Sequence, residues 1–138
     1  MGMPHVLASV MLWGCLCSAA AAAENAHGFD CDNPRYTDER NVCASEATIA
    51  ADAELNRVYA QARSSLHEAL AAMDCSGCEK AEQQLVAAQR AWIKLRDQDC
   101  AAAIAVISGS SRNYAEQHCL TTHARDRTRQ LRDFYELL

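Results

Sequence analysis

The sequence predicts an all-α domain: an antiparallel bundle of three long helices with a short N-terminal helical lobe, tied by disulfides. Apolar residues recur at steps of three and four over long stretches that contain neither Gly nor Pro. Breaks in this pattern, at residues 74–78 and 108–111, are rich in Ser and Gly. The chain has 138 residues and eight cysteines, which suits one small domain with several disulfides.

The first 23 residues differ in composition from the rest and indicate a removable export signal. Residues 6–12 are apolar, and a run of alanines at 19–23 precedes Glu24, as signal peptidase prefers. The apolar run is too short to span a bilayer. We therefore predict a signal peptide over 1–23 and a helical domain over 24–138, in the periplasm or secreted. Leu-Trp-Gly-Cys ending at Cys15 also resembles a lipoprotein cleavage box, so the alternative is a protein anchored to the membrane through a lipid on Cys15.

The charge balance indicates which partners the domain prefers. The predicted signal segment has no Asp, Glu, Lys or Arg, so the mature chain keeps all 13 basic and 18 acidic residues and a net charge of −5. Nucleic acid is excluded as a partner class, because phosphates attract positive patches. An acidic surface favours a basic partner protein.

The first half of the domain is predicted to hold two helices. Residues 24–36 read as an irregular lead-in, and Thr37 is placed to cap a short helix that ends at Cys43. Ser45 is the next candidate cap, for a long helix that runs to about Met73. The apolar positions of this long helix are Leu55, Val58, Tyr59, Ala62, Leu66, Leu70 and Met73.

Two further helices follow, one from about residue 79 to 107 and one from Ser110 or Ser111 to the end. Short turns between long helices predict an up-down-up bundle. Trp92, the larger aromatic residue on the second helix, is expected to pin the core. The apolar positions of these helices are Leu85, Ala88, Trp92, Leu95 and Cys100, then Leu120, Ala124, Leu131, Phe134, Tyr135 and Leu138.

Six cysteines lie outside the signal segment, and an even count in a small exported chain indicates disulfides. Cys100 and Cys119 lie at nearly equal distances on either side of Gly109, so they face one another in an antiparallel hairpin. The predicted pairs are Cys100–Cys119, Cys31–Cys43 and Cys75–Cys78.

No pattern in the sequence points to an enzyme, a metal site or a cofactor. Cys75 and Cys78 have the spacing of a redox motif, but no strand precedes them and the first cysteine is expected at a helix end. The two cysteine pairs at 75–78 and 100–119 would lie about 30 Å apart, too far for a shared zinc. His118 and His123 are five residues apart rather than four. No nucleophile–base pair or Gly-rich phosphate loop is visible.

The second long helix contains the motif Gln-x-x-Trp-x-x-x-Arg-x-x-x-Cys with an Arg-Asp pair, formed by Gln89, Trp92, Arg96, Asp97 and Cys100. With this motif and others in the same order, the chain resembles the LprI-type lysozyme inhibitor family of exported bacterial proteins over about residues 29–135. Cys75 and Cys78 look like an addition to the commoner four-cysteine pattern of that family. The other matching positions are Phe29, Asp30, Cys31, Cys43, Asp52, Leu55, Asn56, Tyr59, Arg90, Cys119, Leu120, Arg127 and Leu131.

The resemblance implies that the protein binds and inhibits a lysozyme in the cell envelope, with lysozyme or another basic envelope protein as partner. The alternative is an envelope interaction or stress module with a different partner. The matched residues themselves are expected to be structural rather than to contact the partner. Trp92 and Tyr59 are assigned to the core, and a buried or half-buried polar network is assigned to Gln89, Arg96, Asp97 and Asn56.

The turn between the second and third helices is the better candidate for contact with a partner. It resembles the Ser-Gly-rich loop that membrane-bound C-type lysozyme inhibitors insert into the enzyme cleft. Ser hydroxyls and an Arg suit the paired carboxylates of a glycosidase. The alternative is an ordinary hairpin turn with a helix cap. The candidate contact residues are Ser108, Gly109, Ser110, Ser111, Arg112 and Tyr114.

Overall fold

Three long α-helices make up most of the described part of the chain, residues 27–72 and 75–135 of a computed structural model. Helix α1 spans Thr37–Ala71, α2 spans Cys78–Ile104 and α3 spans Ser111–Tyr135. No strand occurs within these two described ranges. The predicted all-α class with three long helices is confirmed.

Some sequence predictions fall on residues outside the described ranges. These are the signal peptide over 1–23, the lipidation site at Cys15, and the apolar positions Met73 and Leu138.

Helix α1 is continuous across the boundary predicted between Cys43 and Ser45, so the separate short helix is a wrong prediction. No Gly or Pro lies between 37 and 71, so no strong helix breaker occurs there. A serine favours helix starts and turns, but it can also occupy the interior of a helix. Three residues after Ser45, the Thr48 hydroxyl donates to the backbone carbonyl of Ala44 at 3.0 Å, which is a bond within a continuing helix. The residues of the predicted lobe are therefore the first two turns of a 35-residue helix.

The start of α1 is capped by a carboxylate rather than by the predicted Thr37 hydroxyl. Glu39 Oε2 accepts the backbone N–H of Arg35 at 2.6 Å and that of Tyr36 at 3.3 Å. Thr37 is the first helical residue. Asp38 and Glu39 also place negative charge in the first turn, where the helix dipole favours it.

Side-chain contacts between helices give the predicted up-down-up order. Residue numbers rise along α1 as they fall along α2, since Arg96 pairs with Asp52 and Arg63 pairs with Glu82. Along α1 and α3 the numbers rise together, because Thr48 bonds Thr121 and Glu54 pairs with Arg132. Helices α1 and α3 therefore run parallel, with α2 antiparallel to both.

The core is narrow and rich in alanine. It consists of Ala51, Leu55, Val58, Ala62 and Leu66 from α1, Cys78 and Leu85 from α2, and Ala124 and Leu131 from α3. Three side chains, those of Leu85, Leu131 and Cys78, are the largest that are fully buried in the described part of the chain. Few bulky groups therefore hold these helices together.

The buried face of α2 differs from the predicted one. Leu95 is 52% exposed and Ala88 is exposed, whereas Gln89 is buried and Arg96 is half-buried. Trp92 is partly buried and packs at the margin of the core rather than at its centre. Outer positions on the other helices, including Leu70 at 39% and Phe134 at 66%, are also more exposed than predicted. The three-to-four spacing of apolar residues thus predicts that α2 is a helix but not which face it buries.

All three predicted disulfides are present, with Cα–Cα distances of 5.5 Å, 5.5 Å and 5.6 Å. Contrary to the sequence analysis, Cys75 does not end a helix: it lies in the connection after α1, and Cys78 is the first residue of α2. Cys78 is 1% exposed, and both cysteines belong to the core or pack against it. The Cys75–Cys78 disulfide therefore ties the segment between α1 and α2 to the core. The pairs are Cys31–Cys43, Cys75–Cys78 and Cys100–Cys119.

Candidate partner-binding surface

The turn between α2 and α3 is exposed and has a defined backbone conformation. Gly109 has a φ of +76°, a left-handed angle that favours glycine, and a Cβ added there would meet no atom within 4 Å. Val106 is 91% exposed at the same end of the bundle. The Ser110 and Ser111 hydroxyls make no hydrogen bond within the described residues, so the predicted serine cap of α3 is not formed, although the helix does begin at Ser111.

Arg112 caps the end of α2, a role that the sequence analysis did not predict. Its Nη1 donates to Ile104 O at 2.9 Å and to Ile107 O at 3.4 Å. Carbonyls of the last helical turn lack partners inside the helix, and a cation there also suits the helix dipole. One guanidinium nitrogen therefore holds the turn, although Arg112 is an exposed residue.

Tyr114 lies beside α1 as well as beside the turn. The Arg40 guanidinium lies 5.8 Å from its ring centroid, and the His118 ring lies 6.0 Å away. Tyr114 is 37% exposed. Tyr114 therefore lies next to the predicted contact turn and also contacts α1 through Arg40.

The family-motif residues of α2 lie between helices. Arg96 Nη1 lies 3.5 Å from Asp52 Oδ1 on α1, and Arg96 Nε donates to Asp97 Oδ1 at 2.9 Å. The same guanidinium stacks over the Trp92 ring at 5.3 Å. These contacts hold α2 against α1. Among the described residues, only one contact of the expected four-residue network is present, that between Arg96 and Asp97, and Asp97 itself is exposed.

A second polar link joins α2 to α3. Arg127 Nε donates to Gln89 Oε1 at 3.0 Å, and Gln89 is 7% exposed. Burial lowers the pKa of Arg127 below its ordinary value, while the coulombic effects of Tyr135 and Tyr59 raise it. The donor–acceptor pair satisfies two polar groups that would otherwise be costly in the interior.

The remaining motif positions divide between core and surface. Leu55 and Leu131 are buried, Tyr59 and Leu120 are partly buried, and Arg90 is exposed. Asn56 is also exposed, so the expectation that it belongs to a buried network is wrong. The family motif is therefore mainly a description of how the helices pack.

A three-residue ionic cluster on α1 and α2 was missed by the sequence analysis. Glu82 Oε1 lies 2.6 Å from Arg63 Nη2 and 2.9 Å from His67 Nε2. The hydrogen bond from Arg63 lowers the pKa of Glu82, assisted by that from His67. Glu82 lies 15 positions after His67 and 19 positions after Arg63, so no local spacing in the sequence signals the cluster.

One group of potential metal ligands occurs in the described residues, and it is already occupied by a covalent bond. Ligand atoms of Cys100, Cys119 and His123 lie within 4.8 Å of one another. The two sulfurs form a disulfide, so neither offers a thiolate. His123 Nε2 lies 3.8 Å from Asp99 Oδ2 at the surface beside this bond.

None of the three helices, as far as the structure describes them, is long and apolar enough to cross a membrane.

Comparisons with known proteins add a family match. The family model described as lysozyme inhibitor LprI matches residues 31–131, which begins at the first disulfide cysteine and ends at the buried Leu131. An uncharacterised protein of Rhizobium meliloti (strain 1021) is 33% identical over 125 residues, covering 88% of this chain and 89% of its own. No solved structure matches.

Proposed function

Because this chain belongs to the LprI family of lysozyme inhibitors, we propose that it is an exported envelope protein that binds and inhibits a lysozyme. The family match over residues 31–131 is the observation that carries the proposal. In this proposal residues 1–23 are an export signal and residues 24–138 are the mature inhibitor. Three disulfides suit an oxidising compartment outside the cytosol.

The charge of the protein supports a basic partner. The chain has a net charge of −5, and complementary charge accelerates the encounter of two proteins. Lysozyme or another basic envelope protein fits that requirement.

The α2–α3 turn is the proposed contact with the enzyme. The Cys100–Cys119 bond and the Arg112 cap fix the turn before binding, which lowers the entropy cost of association. Among the described residues, neither the exposed Ser110 and Ser111 hydroxyls nor the Arg112 guanidinium has a carboxylate partner. Donors of this kind match the two carboxylates of a glycosidase cleft.

The proposal is tested with a cell-wall clearing assay. Purified mature protein is mixed with a C-type lysozyme at rising molar ratios, and the rate of turbidity loss is measured. We expect the rate to fall in proportion to the enzyme bound. An unchanged rate at large molar excess, repeated with other lysozyme classes, would rule out inhibition.

The contact turn gives its own expected result. Ser110→Ala should leave folding unchanged, because its hydroxyl is exposed and bonds to no described residue, and it should weaken inhibition if the turn enters the cleft. Arg112→Ala should weaken inhibition by about thirtyfold or more, the usual loss when one partner of a poorly hydrated ion pair is truncated. It should also lower the free energy of unfolding by about 0.5–1.5 kcal/mol, because the α2 cap is lost.

Arg90→Ala is the matched control, since Arg90 is an exposed arginine in α2. Thermal melts of all three variants are compared with inhibition titrations. Full inhibition by both turn variants would place the binding surface on the helix faces or near the Cys31–Cys43 disulfide instead.

One observation favours a second candidate function. The residues that carry the family motif mainly make contacts between helices. The family match therefore supports a shared fold more directly than a shared binding surface. The alternative is an envelope interaction or stress module with a partner other than lysozyme. A pull-down from envelope extract that recovers a different stoichiometric partner, together with no inhibition, would favour it.

A further inference from the structure

A pocket opens between the N-terminal segment and the first turns of α1 and α3, with a volume of about 360 Å³. The Cys31–Cys43 disulfide, Pro34 and two alanines form its apolar part. Its lining as a whole comes from three separate stretches of sequence, 31–34, 40–47 and 114–125, which is why no motif signals it. The residues that matter below are Arg40, Ala44, Ala47, Tyr114, His118 and Arg125.

The pocket is cationic although the protein is acidic. Two arginines and a histidine line it, and no Asp or Glu is among its lining residues in the described ranges. Among the described residues Arg125 forms no ion pair, and the Arg40 guanidinium forms none either but lies over the Tyr114 ring. Most guanidinium groups elsewhere in the bundle, such as those of Arg63 and Arg96, have carboxylate partners.

Carboxylates at neighbouring positions do not supply the missing charge. Glu39 Oε2 accepts two backbone N–H groups at the start of α1. Glu46 Oε1 lies 2.7 Å from His27 Nε2, and Asp126 Oδ1 lies 2.7 Å from Arg129 Nη2. Each of these three carboxylates is committed to another group, and none of them pairs with Arg40 or Arg125 in the described structure.

The walls of the pocket strengthen its preference for an anion. Arg40 comes from α1 and Arg125 from α3, so arginines of two different helices line the pocket. A guanidinium that binds a carboxylate makes charge-assisted hydrogen bonds, which are stronger than hydrogen bonds between neutral groups. The planar guanidinium fork matches a carboxylate, which it binds through two parallel hydrogen bonds.

The size of the pocket indicates how much of a ligand enters. A water molecule occupies about 30 Å³, so the volume corresponds to roughly a dozen waters, which is more than one carboxylate group fills. The remaining space lies against Ala44, Ala47 and the disulfide, and suits a small apolar side chain beside the charge.

We propose that this pocket binds the C-terminal carboxylate of a short peptide, with a small apolar terminal residue against the alanines and the carboxylate between Arg40 and Arg125. This proposal does not depend on lysozyme inhibition, because it is tested by measuring peptide binding to the protein in the absence of lysozyme.

The test uses three probes and calorimetric titration of the mature protein. The first probe is N-acetylated tetra-alanine with a free C-terminal carboxylate, and the second is the same peptide with a C-terminal amide. The third is an N-acetylated, C-amidated peptide of the same length with one internal glutamate. We expect the free-carboxylate peptide to bind, its affinity to fall as salt rises, and both amides to bind about tenfold more weakly or worse.

Variants locate the binding. Arg125→Gln should weaken the free-carboxylate peptide about tenfold without changing the melting temperature, because Arg125 is exposed and unpaired in the described structure. Arg40→Gln should do the same, with a melt to account for its lost contact with Tyr114. Arg90→Gln, on an exposed position of α2, should leave binding unchanged.

Three results would overturn the proposal. These are equal binding of the amide and the free carboxylate, equal or tighter binding of the internal-glutamate peptide, and full binding by Arg125→Gln. Absence of binding by every probe at millimolar concentration would overturn it as well.

Discussion

Replacing Leu131 with alanine is expected to lower the free energy of unfolding by about 2–5 kcal/mol. Leu131 is 0% exposed and lies on α3 in the shared core. Ala62, which lines a pocket together with Leu131, has no long side chain that could rotate into the space. The cavity should therefore stay largely open, which raises the cost of truncation above the simple loss of buried area. Urea unfolding followed by circular dichroism measures it.

Leu95→Ala is the matched control, because the sequence pattern assigns Leu95 to the core and the structure leaves it 52% exposed. The same chemical change there should cost less than about 1 kcal/mol. A loss at Leu95 that equalled the loss at Leu131 would mean that α2 presents a different face to the bundle.

Removing the Cys100–Cys119 bond with a double alanine substitution is expected to cost about 2–5 kcal/mol, the usual range for a small exported domain. The bond closes a loop with a sequence separation of 19. By chain-entropy reasoning, opening a loop of this length releases about 3 kcal/mol of conformational freedom in the unfolded state.

The Cys75–Cys78 pair provides the comparison. Its sequence separation is 3, so its loss should release less chain entropy and destabilise the protein less. Thermal melts of both double-alanine variants give the order. If the shorter bridge cost more, packing of the 1%-exposed Cys78 against the core would outweigh loop closure.

Local patterns predicted the helices and the cysteine pairs well. Long stretches without Gly or Pro, broken at 74–78 and 108–111, are enough to count three long helices. The symmetry of Cys100 and Cys119 about Gly109 follows from hairpin geometry alone, and the observed pair confirms it.

Features that depend on distant residues do not follow from the spacing of apolar residues, and the burial of Gln89 and Arg96 was expected only from the family resemblance. Gln89 is buried because Arg127, 38 positions away, satisfies its oxygen, and Leu95 is displaced to the surface when Gln89 and Arg96 face inward. A hydrophobicity scale counts Gln89 and Arg96 as solvent-facing residues, so it predicts the wrong buried face for α2. Ser45 fails as a helix boundary for a similar reason, since tertiary packing of α1 outweighs a weak local capping preference.

The candidate site was predicted in part. The turn at 108–112 lies where the sequence places it, and Gly109 has the left-handed conformation that makes it a turn. The capping role of Arg112 depends on how α2 ends, and the pocket depends on three segments meeting. Neither has a signature within one stretch of sequence.

The order of the three disulfides has a consequence for oxidative folding during the export proposed above. Each cysteine among the six pairs with the one next to it along the chain, so the three loops neither overlap nor enclose one another. A polypeptide that emerges from an export channel with its N-terminus first would present each pair in full before the next pair appears. Oxidation in order of emergence then gives the native pairing directly, and no thiol–disulfide exchange between pairs is needed to correct it.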